Sequence, residues 1–169
     1  MLVFLLLLGV PSCARETPNN NVATTTPANT EQRRGSVDVV KATPHPVEAS
    51  RNETVDITID VTVENGYHVN ANPPTFPYLK PTELEIPATQ GLAVGFIVYP
   101  DPVTKTFPFA DKPLAVYEGT IPIKVNLKVD KSAATGTQNL SAKLRVQACD
   151  DQVCYAPGTL DVNIPLNIK

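Results

Sequence analysis

Between Thr54 and Val63 apolar and polar residues alternate without a break. Val55, Ile57, Ile59, Val61 and Val63 fall on one face, and Asp56, Thr58, Asp60 and Thr62 on the other. Period-two alternation over such a length predicts a strand with one buried face. The segment "TIPIKVNLKV" (120–129) repeats the pattern through Ile121, Ile123, Val125, Leu127 and Val129, and "LDVNIPLNI" (160–168) follows the same rule. Further strands are predicted at 82–86, 91–99, 114–129, 139–149 and 158–168, while "SVDVVKA" (36–42) alternates loosely. Pro122 and Pro165 lack the N–H that a ladder needs, which predicts a sheet edge or a bulge at each. Segment 64–81, "ENGYHVNANPPTFPYLKP", opens on the tight-turn pair Asn65-Gly66 and carries Pro73, Pro74, Pro77 and Pro81. It predicts an ordered extended loop rather than a central strand. No stretch has a helical period. About seven strands separated by turn residues predict an all-β fold, an immunoglobulin-like antiparallel β-sandwich.

Composition agrees with that class. The chain has 17 prolines and no tryptophan, and its apolar residues are mostly Val, Ile, Leu and Ala in short runs. A formal net charge of -3 with no basic block or stripe argues against a nucleic-acid partner.

The first thirteen residues, "MLVFLLLLGVPSC", begin with an apolar run too short to span a bilayer but suited to the core of a secretory signal. Ser12 precedes Cys13, and Val10 stands three residues before it. This is the pattern of a lipobox, in which Cys13 becomes the lipid-modified N-terminus after cleavage. The segment lacks the Lys or Arg that usually opens such a signal. Residues 1–12 are therefore read as a lipoprotein-type signal peptide. Residues 13–35 are read as a lipid-anchor cysteine and a disordered tether, since "ARETPNNNVATTTPANTEQRRG" (14–35) has too little apolar content to bury a core. A tether of that length reaches roughly 25 Å on average and about 70 Å fully stretched. Residues 36–169 form the folded domain. With Cys13 lipidated, Cys149 and Cys154 remain to pair with each other, and export allows a disulfide to persist.

The pair lies in "RVQACDDQVCYAP" (145–157). A four-residue turn between the cysteines sets them opposite each other, with Cα atoms about 4.5–5.5 Å apart, a spacing a disulfide accepts. As a staple so short a loop contributes about 2 kcal/mol, against nearly 5 for a loop of ~100 residues. A domain of this size buries a core without one. A pair on an exposed turn also suits thiol–disulfide exchange, which needs an accessible sulfur. Structural clip and redox centre both fit these residues. Asp150 and Asp151 disfavour a thiolate beside them, and both are good turn formers.

The stretch "RVQACDDQVCYAPGTLDVNIPL", together with "NGYHVNANPP" and "LAVYEGTIPIKV", resembles the periplasmic amino-terminal domain of the thiol:disulfide interchange protein DsbD over about residues 36–169. The resemblance implies an immunoglobulin-like sandwich in which Cys149 and Cys154 cycle between dithiol and disulfide. It implies a cap loop at "TFPFADKP" (106–113), with Phe109 as the shielding ring and Phe107 as the second candidate. It implies no cofactor. The partners implied are thioredoxin-like proteins and a membrane thiol transporter. The cysteine spacing is one residue shorter than in the familiar enterobacterial member. No membrane or thioredoxin-like segment follows within the sequence, so a separate membrane protein is expected to supply electrons to a periplasm-facing lipoprotein. The competing class is a non-enzymatic binding module on a stalk, its disulfide a turn clip. His45 and His68 lack ligand spacing to each other and to the cysteines, so no metal site is expected.

Overall fold

The computed structural model describes residues 34–169. The signal peptide at 1–12, Cys13 and nearly all of the tether lie outside the described residues.

A 3-10 turn at Ser36–Val39 leads into twelve strands among the described residues: β1 (Val40–Pro44), β2 (Val47–Ala49), β3 (Thr54–Val63), β4 (His68–Asn70), β5 (Glu83–Glu85), β6 (Leu92–Val98), β7 (Val103–Lys105), β8 (Leu114–Tyr117), β9 (Thr120–Val129), β10 (Gly136–Val146), β11 (Ala148–Cys149) and β12 (Gly158–Ile168). They form three four-stranded sheets, in the orders β1-β3-β9-β6, β2-β12-β10-β5 and β11-β4-β8-β7.

The first two sheets build the sandwich, and their registers show why alternation specifies it. Ile57 stands opposite Val125, Ile59 opposite Ile123 and Val61 opposite Ile121. In the second sheet Leu140 faces Ile164 and Ala142 faces Val162. All ten side chains are buried in one continuous apolar core. A one-residue slip of β3 would drive Asp56, Thr58 and Asp60 inward, so the register is strongly fixed. The prolines sit where a neighbouring strand runs out. Pro122 pairs with Asp60 on one side, and β6 has ended by Lys124 on the other. Pro165 pairs with Asn139, and β2 begins only at Leu166. The β2–β12 pair is parallel, a short departure from the otherwise antiparallel pairing.

The third sheet continues the sandwich at one end. β4 follows β3 through a turn closed by Tyr67 N–H to the Glu64 carbonyl at 3.1 Å. β11 follows β10 after the single residue Gln147. Residues 114–129, expected as one strand, break at Glu118-Gly119, where Gly119 takes a positive φ of 62°. The break sends β8 to the third sheet and β9 to the sandwich. β4 falls in the segment expected to be loop. Three residues are too few to show a period, and the prolines on its C-terminal side dominate the local signal.

This sheet has a core on each face. Val69, Tyr117 and Ala148 point into the sandwich core. Leu114 and Val116 point the other way, into a second cluster with Leu79 and Phe107, against which Phe76 and Ala110 pack. Strand alternation and register put His68, Asn70 and Cys149 on that second face.

Candidate functional site

Cys149 closes β11 and is disulfide-bonded to Cys154, with Cα atoms 3.9 Å apart, closer than a regular ladder pair. An isolated antiparallel bridge joins the same two residues. Asp150 builds the loop between them. Its Oδ1 accepts hydrogen bonds from the Gln152 and Val153 amides, both at 2.8 Å, and its own N–H donates to the Val153 carbonyl at 3.0 Å. The Tyr155 hydroxyl donates to Asp150 Oδ2. That bond and the two amides hold the Asp150 carboxyl below its ordinary pKa. The same bond to the carboxylate pushes the Tyr155 phenol up to about 12. Asp150 is thus spent on shaping the turn, which is the turn-forming role its type suggests.

The loop is also tied from outside. Ser36, 1% exposed, donates from Oγ to the Ala156 carbonyl at 2.6 Å and accepts from the Ala148 amide at 2.9 Å. One hydroxyl from the N-terminal turn therefore clamps both sides of the cysteine loop. A Cβ at Gly158 would meet Val37 Cγ1 at 2.5 Å, so glycine there admits the clamp. Gln147 braces the other flank. Its Oε1 accepts from Asn70 Nδ2 at 3.1 Å and from the Lys80 amide at 2.9 Å. None of these roles was visible in the sequence, because each joins residues far apart in it.

The structure corrects the expectation of an exposed pair. Cys149 is 0% exposed and Cys154 is half-buried. Cys149 lies on the same face of the third sheet as the second apolar cluster.

Residues 106–113 form the loop between β7 and β8. Phe107 is buried within the second cluster, whereas Phe109 is 39% exposed. The Phe107 ring stacks on His68 with centroids 4.1 Å apart and on Phe109 at 5.3 Å. His68 is in turn the cross-strand partner of Cys149. A continuous stack thus runs from the buried strand to the surface. Phe109 also lines a groove of about 330 Å³ with Tyr78, Leu79, Gln147, Val153 and Cys154. Tyr78 and Val153 are exposed at its rim.

His68, weighed in the sequence only as a metal ligand, is a further residue of the site. It is 1% exposed, and burial lowers its pKa. Its only advance signal was its place two residues after Gly66, and that did not reveal its pairing with Cys149. His45 lies elsewhere, on β1's side of the sandwich, where its Nε2 pairs with Asp60 Oδ2 at 2.8 Å.

An immunoglobulin-like sandwich with a disulfide across a short turn, beside an aromatic loop that lines the same groove, fits a thiol–disulfide exchange domain. Residues 36–165 match the family described as thiol:disulfide interchange protein DsbD, N-terminal, and the chain belongs to that family. No protein with a curated functional description matches the sequence. Among solved structures, the N-terminal periplasmic domain of ScsB from Proteus mirabilis is similar at 18% identity and a TM-score of 0.50, covering 74% of this chain and 44% of that one. The reduced DsbD N-terminal domain of Neisseria meningitidis is similar at 14% identity and a TM-score of 0.49, covering 83% of this chain and 95% of that one. The domain is thus a periplasmic one that exchanges disulfides with partner proteins. Among the described residues, no helix is long and apolar enough to cross a membrane.

Proposed function

We propose that this domain relays reducing equivalents from a membrane thiol transporter to thioredoxin-like acceptors in the periplasm, held at the membrane through a lipid on Cys13. Cys154 is the sulfur that meets partners, and Cys149 is the resolving sulfur. The observation that carries this assignment is the contrast in burial: Cys149 is sealed, while Cys154 opens onto the groove. Exchange needs in-line access to one sulfur only.

Loop 106–113 acts as the cap. Phe109 shields the disulfide from small thiols, and Phe107 anchors the loop on the second apolar cluster. Docking of a partner lifts Phe109 and fills the groove, which is apolar at its rim.

Titration against glutathione redox buffers tests the proposal. An exchange disulfide passes from dithiol to disulfide within that range, whereas structural disulfides in secreted proteins typically lie below about -300 mV. A pair that stays oxidised throughout in the folded protein would refute the relay and leave the turn clip.

A further inference from the structure

His68 lies at the centre of the covered face. Paired residues of an antiparallel ladder project to the same side, with Cβ atoms about 4.5–5.5 Å apart, and His68 is paired with Cys149. Its Nε2 atom is buried without a hydrogen-bond partner. The other such side-chain atom among the described residues, Asn70 Oδ1, belongs to the same strand and the same face. A buried polar atom left unpaired is costly and calls for a reason. The disulfide supplies one. In the oxidised pair Cys149 Sγ bears no proton and no charge, so it offers an imidazole nitrogen nothing to bind. Reduction creates either a thiol donor or a thiolate acceptor at that sulfur.

We propose that His68 is the residue that holds and moves the proton of Cys149, the buried half of the redox pair. The proposal rests on the exchange function assigned to the cysteines. When the domain is charged, a donor thiolate attacks Cys154 Sγ. The Cys149–Cys154 bond breaks, and its electron pair leaves on Cys149 Sγ. The donor sulfur is now joined to Cys154 in a mixed disulfide, and His68, which has taken up a proton from solvent, passes one from Nε2 to the Cys149 thiolate. The donor's second thiol gives up its proton to solvent and attacks the first donor sulfur, which closes the donor disulfide and releases Cys154 Sγ, protonated in turn from solvent. When the domain discharges, Cys154 loses its proton to solvent and attacks the acceptor disulfide, forming a mixed disulfide as the acceptor's other sulfur leaves with the electron pair and is protonated from solvent. Cys149 then returns its proton to His68 as its sulfur attacks Cys154 Sγ and expels the acceptor sulfur, which is protonated from solvent. One turn moves two electrons and two protons, and the donor is oxidised as the acceptor is reduced.

The surroundings suit such a proton route. His68 borders a shallow cleft with Lys105, Glu118 and Asp151, a path for protons that does not cross the apolar cap. Burial lowers the imidazole pKa most, Glu118, Asp151 and Asp150 raise it, and Lys105 lowers it. Lys105 and Glu118 pair with each other at 2.5 Å, so their effects on His68 largely offset. The net result is a neutral imidazole at neutral pH, able to accept a proton. Phe107 stacks on the imidazole ring, and Cys149 is 0% exposed, so solvent does not reach its sulfur. A sulfur that solvent cannot reach needs a protein group to serve it.

Reoxidation of the reduced domain by oxidised glutathione, followed from pH 5 to 9, tests this. His68→Phe keeps a ring of similar size in the stack but has no nitrogen. It is expected to slow the ring-closing step at least about tenfold at pH 7, the low side of general acid–base effects, and to shift the rate profile toward that of an unassisted thiol at higher pH. A folded His68→Phe whose rate and pH profile stay within twofold of the wild type would overturn the proposal. The second measurement needs no variant. The Nε2 nitrogen resonance of His68 in the wild-type domain should move between oxidised and reduced states, and an unchanged resonance would overturn the proposal equally. A wild-type disulfide that never reacts with glutathione overturns the exchange function itself. Normal exchange with indifferent His68 removes only the role given to His68.

Discussion

Replacing Phe109 by alanine separates a shield from a scaffold. Phe109 is 39% exposed, so its ring buries a little over half of its surface. Full burial of a phenylalanine side chain stabilises by about 1.5–3 kcal/mol, and the buried share here corresponds to about 1–2 kcal/mol. That energy holds loop 106–113 down on its groove rather than holding the sandwich together, because the apolar cluster beneath the loop is distinct from the sandwich core. Loss of about 1–2 kcal/mol from a closed–open equilibrium raises the open fraction roughly 5- to 30-fold. If small thiols reach Cys154 only from the open state, the rate of reduction by dithiothreitol rises by the same factor. The urea midpoint should scarcely move. Phe107→Ala behaves differently. Phe107 is a buried residue of the loop itself, and emptying such a site costs about 3–5 kcal/mol where the surroundings cannot collapse. It should open the loop and also lower the urea midpoint. Stopped-flow reduction with dithiothreitol, beside urea unfolding of the same samples, reads both effects. A Phe109→Ala rate within twofold of wild type would refute the shielding role and point to another cover for the sulfurs, such as the segment between β4 and β5.

Replacing both Cys149 and Cys154 by serine should leave a folded β domain, destabilised by about 2 kcal/mol or less on the short-loop estimate, as circular dichroism and urea unfolding can check. In the reduced wild type, iodoacetamide should alkylate Cys154 at least about tenfold faster than Cys149, since an inaccessible thiol reacts poorly. Peptide mass spectrometry gives the ratio, and equal labelling would contradict the division of roles. Asp150 has a depressed pKa in the fold, so its stabilising effect is present above the ordinary carboxylate value and is lost as pH falls through the folded value. Asp150→Asn should remove that part of the acid sensitivity, seen as a flatter thermal midpoint between pH 5 and 2. Cys13→Ala should abolish incorporation of labelled fatty acid and release the domain to the soluble fraction; wild type found wholly soluble would contradict the anchor.

The sandwich was legible wherever a strand is long. β3, β9 and β12 each run for ten or more residues with one face buried, so the period-two pattern states both the element and its register. The third sheet was not legible as such. β4, β7 and β11 are two or three residues long, and no period can be read from so few. The long runs 114–129 and 139–149 hid their breaks, because apolar residues continue past Gly119 and Gln147 while the chain passes from one sheet to another. The cysteine turn was readable because Asp150 acts locally. The clamp by Ser36 and the pairing of His68 with Cys149 were not, because they depend on which segments the fold brings together.

Full burial of Cys149 beside a half-buried Cys154 is what makes the third sheet more than an extension of the sandwich. A sheet with a core on each face can lose the cover on one while keeping the other. Val69, Tyr117 and Ala148 anchor the strands to the sandwich whatever happens above them. Movement of loop 106–113 can therefore expose Cys154 without cost to the fold's main core. Only Cys154 needs that exposure. In the proposed relay, nucleophilic attack along the S–S bond reaches Cys154 from the groove and drives electrons onto Cys149, which is 0% exposed. A thiolate left in apolar surroundings is poorly solvated and has a raised pKa, so the released charge is unstable until it is neutralised. An exposed dithiol would draw that proton from water. A half-buried one must draw it from the protein, and among the described residues the unpartnered imidazole opposite Cys149 is the group positioned on the same face to meet that need.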